Sequence, residues 1–182
     1  MAERINISKK DNNLEIEIKA LKDDTKQKIL LVWIVLFSLC GFAILSQFFY
    51  GYDKSSQLFF AVYLAFWLFF EFKVIYAFRW RNAGMEKIIL NKMEIILIKE
   101  IGKRGITQTI KINEISNLRC YEPDESGFIK AINSSYWNIN KYSLAFDFEN
   151  KPVPFAIDLD KNEAKKLLKE IYSNLADFRK KR

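Results

Sequence analysis

The sequence predicts an α+β membrane protein: a transmembrane helical hairpin joined to a small antiparallel β domain that ends in a helix. Three observations carry this. Residues 29–50 (ILLVWIVLFSLCGFAILSQFFY) hold no charge. Residues 57–78 (QLFFAVYLAFWLFFEFKVIYAF) form a second apolar run, interrupted only by Glu71 and Lys73. The flanking chain alternates apolar and polar residues with period two, and only the last stretch changes to helical spacing.

Each apolar run is 22 residues long. At about 1.5 Å per residue that reaches about 33 Å, enough for a hydrocarbon core of about 30 Å. The linker, residues 51–56 (GYDKSS), makes the two helices antiparallel neighbours. A chain of 182 residues is too small to bury two fully apolar helices in a soluble core. The first run is too long and lacks a small-residue cleavage site, so a removed signal peptide is not expected.

Basic residues set the expected orientation. Arg4, Lys9, Lys10, Lys19, Lys22, Lys26 and Lys28 precede the first helix, and Arg79, Arg81, Lys87 and Lys92 follow the second. The linker has only Lys54. The positive-inside rule then puts both termini in the cytoplasm. Trp33 and Trp80 fall near the inner ends of the helices, and Tyr50 and Tyr52 near the outer end, as interfacial aromatic belts would. Glu71 and Lys73 are the candidate intramembrane polar contacts. A charge near mid-bilayer costs about 2.5–3.5 kcal/mol and needs a reason. Lys73 can snorkel to the inner interface, and residues two apart on a helix do not face each other. Glu71 is left either near that interface or against a partner helix.

The N-terminal segment alternates through Ile5 and Ile7, turns at residues 9–13, and alternates again through Leu14, Ile16 and Ile18. This reads as a β-hairpin, and the polar stretch 21–30 leads into the first helix. Strands are expected at 87–90, 94–100, 106–112 and 115–121. Gly102 and Gly105 bracket a basic turn and supply positive φ there. Residues 142–148 and 153–159 alternate cleanly across a turn at Asn150 and Lys151. The connection 122–140 contains Pro123, Gly127 and Trp137, with room for a short strand at 128–132. Asp160 followed by Glu163 is a capping box. Ala164, Leu167, Leu168, Ile171, Leu175 and Phe178 then form one apolar stripe, so a helix should cover the sheet. The organisation is therefore 1–28 N-terminal hairpin and lead-in, 29–80 membrane hairpin, and 83–182 cytoplasmic domain.

Composition narrows the chemistry. The chain carries 29 Lys+Arg against 22 Asp+Glu, a net charge of +7, and no histidine. Histidine-based acid–base catalysis, Ser-His-Asp and Cys-His triads, and imidazole zinc sites are excluded. The two cysteines, Cys40 and Cys120, make no disulfide framework and are expected to pack inertly. No strand end gathers a carboxylate pair with a nucleophile, so no catalytic residue, cofactor or metal is expected. Basic residues alternate with acids, which argues against nucleic acid as a partner.

The strand ITQTIKINEISNL follows the basic glycine turn, and two more strands and an amphipathic helix follow it. With the preceding hairpin, this resembles the bacterial pleckstrin-homology-like (PH-like) membrane proteins, the YcxB-like two-helix family. In that family the strand reads R-x-x-x-I-P-x-x-x-I-x-x-V. Ile110, Ile112, Ile115 and Leu118 take comparable apolar positions here, and the proline is absent. The resemblance implies a split or strongly curved antiparallel barrel of about seven strands capped by the final helix, which the N-terminal strands can join. It also implies a non-enzymatic, membrane-anchored interaction or scaffold module. Such a module serves as an accessory or assembly component of a complex in a bacterial cytoplasmic membrane.

Two other functions stay open at this point. One is lipid or ligand sensing, with Lys103 and Arg104 in the basic turn and the tail Arg179, Lys180, Lys181 and Arg182 as candidate contacts to anionic lipid. The other is a small oligomeric effector or channel built on the hairpin, in which Ser38, Gly41 and Ser46 would let helices approach closely. The expected partners are the membrane and either another protein or further copies of the chain.

Overall fold

The computed structural model describes residues 4–10, 13–102, 104–122 and 135–180. It divides into two compact units, residues 22–81 and residues 1–21 with 82–182.

The first unit is a helical hairpin. Helix α1 spans Asp24–Ser46 and α2 spans Lys54–Ala83, with a 3-10 turn at Gln47–Phe49 after α1. The expected polar lead-in is helical from Asp24 onward. Asp23 caps α1 by accepting the Lys26 N–H at 3.0 Å, so the helix starts ahead of the apolar run. Asp53 does the same for α2, accepting the N–H of Ser55 at 3.0 Å and the hydroxyl of Ser56 at 2.6 Å. Both helices are long and apolar enough to cross a membrane.

The second unit is α+β. Strands β1 (Ile5–Lys10), β2 (Asn13–Lys19), β3 (Gly84–Leu90), β4 (Glu94–Ile101) and β5 (Arg104–Lys111) form one antiparallel sheet in sequence order. The N-terminal hairpin joins the sheet through β2 and β3, where Ile16 pairs with Ile88. Strands β6 (Ile115–Cys120), β7 (Tyr142–Phe148) and β8 (Lys151–Ile157) form a second antiparallel sheet. Helix α3 (Lys161–Lys180) follows. Asp160 Oδ1 accepts the N–H of Asn162 and Glu163, each at 2.7 Å, and Glu163 Oε2 accepts the Asp160 N–H at 2.9 Å. That is the capping box in full.

The inner face of the five-stranded sheet can be read from its register. Leu14, Leu90, Ile95 and Ile110 make one row across β2 to β5, and Ile16, Ile88 and Leu97 belong to the next. These residues share one core with Leu144, Phe146 and Phe155 of the second sheet and with Ala164, Leu167 and Ile171 of α3. The helix thus covers apolar sheet surface, as its stripe requires.

The barrel expectation is corrected: the strands lie in two separate sheets and do not close. A 3-10 turn at Ile112–Glu114 ends the pairing of β5. Beyond it, β6 carries a bulge between Ser116 and Arg119, with Asn117 at φ 49°. Facing sheets and α3 already bury the apolar rows, so closure is not needed to form the core.

The turns also differ in detail. Gly102 has the positive φ, 66°, but Gly105 is a β5 residue. Its glycine is required by proximity: a Cβ there would sit 2.8 Å from the Glu100 Cβ. The β7–β8 turn is Glu149–Asn150, closed by Phe148 opposite Lys151. Both turn residues have positive φ, 50° and 61°, as a two-residue hairpin of primed type demands. The expected strand at 128–132 lies outside the described residues.

Candidate functional site

Polar side chains gather on the facing sides of α1 and α2. Ser38 Oγ donates to Glu71 Oε1 at 2.6 Å. Glu71 is buried, at 6% exposure, and its Oε2 has no hydrogen-bond partner. Positions 67, 71, 74 and 78 follow helical spacing, which puts the partners of α1 on one stripe of α2. Trp67 Nε1 donates to the Phe37 carbonyl at 2.9 Å, and Gln27 Nε2 donates to the Phe78 carbonyl at 3.0 Å. A Cβ on Gly41 would lie 2.0 Å from the Trp67 ring, so only glycine allows this approach. Three side-chain hydrogen bonds and one glycine contact therefore fix the antiparallel register.

Lys73 lies apart from this cluster. It is exposed, with Nζ 4.8 Å from the centre of the Phe69 ring, while Glu71 points to α1. The hairpin therefore separates the two charged residues onto different faces. Ser38 and Gly41 are used inside the hairpin, whereas Ser46 is exposed and donates to the Ala43 carbonyl at 2.7 Å.

The proposed lipid-contact residues are only partly described. Arg104 is exposed at the first position of β5. Lys103, Lys181 and Arg182, and the side chains of Arg179 and Lys180, lie outside the described residues.

The sequence reading passed over Glu86. It sits on the inner face of β3, paired with Lys99 of β4, and is 4% exposed. Its carboxylate receives the N–H of Ala156 at 3.1 Å on Oε1 and of Ile157 at 2.8 Å on Oε2. Burial pushes its pKa above the ordinary glutamate value, opposed by those two N–H groups and by the charge of Lys99. Lys99 Nζ donates to the Tyr142 hydroxyl at 3.2 Å and stands over its ring. The available signal was periodicity. Starting the strand at Gly84 instead of Lys87 places Glu86 on the same face as Ile88 and Leu90.

Cys40 on α1 and Cys120 on β6 are both exposed, which corrects the expectation that they pack. Between the sheets and α3, a pocket of about 140 Å³ is lined mainly by Leu90, Ile95, Ile115, Phe146 and Ile171. Tyr172 of α3 donates to the Leu118 carbonyl at its edge. Among the described residues no three His, Cys, Asp or Glu side chains cluster to hold a metal. No protein-family model, curated protein or solved structure matches the chain.

Proposed function

We propose that this chain is a non-enzymatic, membrane-anchored interaction module, an accessory or assembly component of a membrane complex. One observation carries the membrane part. The α1–α2 hairpin buries polar groups and exposes large apolar ones: Ser38 and Glu71 meet between the helices, while Leu36, Leu39, Phe42, Leu58, Phe59 and Phe66 are each more than half exposed. Water would reverse that arrangement, whereas lipid favours it. Both termini face the cytoplasm in this reading, because basic residues flank the hairpin on its terminal side. The membrane is a bacterial cytoplasmic membrane.

The domain outside the lipid is read as PH-like. Two antiparallel sheets sharing a core with a terminal helix support that reading. Its binding surfaces act as a scaffold, held at the membrane by the hairpin. The test is purification of the full chain in mild detergent followed by intact-complex mass spectrometry. A stoichiometric foreign subunit, retained through washing, is the expected result. A chain that always emerges alone or as copies of itself would overturn the module reading.

A further inference from the structure

The two sheets have four edges, and three are blunted against strand addition. Strand β1 is short, and its Lys9 is held by Glu170 of α3 at 2.8 Å. Strand β6 is broken by the bulge at Asn117. Strand β8 contains Pro152 and Pro154, which cannot donate to a further strand. Among the described residues, strand β5 has no partner on its outer side, no bulge and no proline, and its charges stand only at its two ends. It pairs with β4 without a bulge from Arg104 to Lys111, and of those residues only Ile110 is buried.

The free groups on β5 follow from its register. Ile112 N–H bonds the Met93 carbonyl at 2.9 Å, so that position points its main chain at β4. Antiparallel pairs alternate, and Ile110, Gln108 and Ile106 therefore also face β4. The N–H and C=O groups of Gly105, Thr107, Thr109 and Lys111 point off the free edge. Thr107 and Thr109 favour extended backbone. Ile106, 78% exposed on the inner face, offers an apolar contact to an incoming side chain. The charges at the two ends of the strand are Arg104 and Lys111, both positive. Lys111 reaches Glu114 only at 3.8 Å across an exposed surface, which leaves its charge available.

Resting on the interaction-module reading, we propose that β5 is a docking edge for an extended segment of a partner protein. The segment adds as an antiparallel strand, with acidic residues at its ends opposite Arg104 and Lys111. Main-chain hydrogen bonds supply affinity, and the end charges and the Ile106 contact supply selectivity. Pairing of β5 with a second copy is disfavoured, because it would bring two sets of the same positive end charges, Arg104 and Lys111, to one seam.

The probe is a fluorescent peptide of about eight residues, alternating threonine and isoleucine, with a glutamate at each end. Its binding to the full chain in detergent is read by anisotropy. Thr107→Pro removes one outward N–H and should weaken binding at least about tenfold while the circular dichroism spectrum is retained. Arg104→Glu with Lys111→Glu alters no main-chain group, and should switch preference to the same peptide with lysine ends. No binding to the native chain, equal binding to Thr107→Pro, or indifference to the charge reversal would each overturn the proposal. So would a native dimer, seen by light scattering, that Thr107→Pro dissociates. Failure of the module reading looks different: the native chain then carries no foreign subunit in intact-complex mass spectrometry. A foreign subunit that stays on Thr107→Pro sinks only the docking edge.

Discussion

The Glu86 carboxylate on β3 receives the Ile157 N–H of β8 at 2.8 Å, and this bond ties the five-stranded sheet to the three-stranded one. The neighbouring N–H, that of Ala156, reaches the other oxygen from a backbone at φ 61°. Ala156 is left-handed within a strand, a conformation that costs about 1–3 kcal/mol and persists only when its surroundings enforce it. A buried carboxylate with two donors supplies that enforcement.

Glu86→Ala should therefore lower stability by about 2–4 kcal/mol, since two buried N–H groups lose their acceptor. Denaturant unfolding of the full chain in detergent measures it. A loss below about 0.5 kcal/mol, the range of ordinary surface changes, would deny the clamp.

The same residue predicts a pH dependence. Burial raises the folded-state pKa of Glu86 above its unfolded value. Between the two values the native chain holds a proton that the unfolded chain has lost. The contribution is fully present below the unfolded pKa and disappears as pH rises through the folded one. Glu86→Gln cannot titrate. The native chain should therefore gain stability relative to that variant as pH falls from neutrality toward the ordinary glutamate range. Parallel stability profiles for the two proteins would refute this.

Gly41→Ala should destabilise the hairpin by about 1–3 kcal/mol, because its Cβ overlaps the Trp67 ring. Trp67→Leu in the same chain should recover part of the loss by clearing that space. Ser38→Ala removes a single hydrogen bond and should cost about 1 kcal/mol. Thermal midpoints in one detergent rank the variants, and a Gly41→Ala chain as stable as the native one contradicts the packing.

Cysteine labelling tests the proposed topology. Cys40 lies in α1, and Cys120 is exposed on β6. In sealed membranes an impermeant maleimide should modify Cys120 from the cytoplasmic side alone and Cys40 from neither side. Labelling of Cys120 on intact cells would invert the orientation.

Much of the fold was legible because local pattern and tertiary environment agree. Leu14, Ile16 and Ile18 alternate in the sequence and are buried in the structure. Asp160 and Glu163 announce the start of α3 with a purely local hydrogen-bond motif. The candidate sites were less legible. Glu71 stood out because charge is rare in an apolar run, but its partner Ser38 is distant in sequence and ordinary in type. Glu86 did not stand out, since glutamate in a strand normally faces water.

The sequence by itself determined the two membrane-length helices, the strand and helix periodicities, the caps, and the absence of histidine chemistry. These depend on side-chain character repeated over a few residues, which a linear pattern records. Only the tertiary structure decided the division into two sheets, the packing of Gly41 against Trp67, and the inward placement of Glu86. Among the described residues it also left the outer side of β5 without a partner strand. Those outcomes depend on contacts between residues far apart in the chain, where a one-residue change of register moves every side chain to the opposite face.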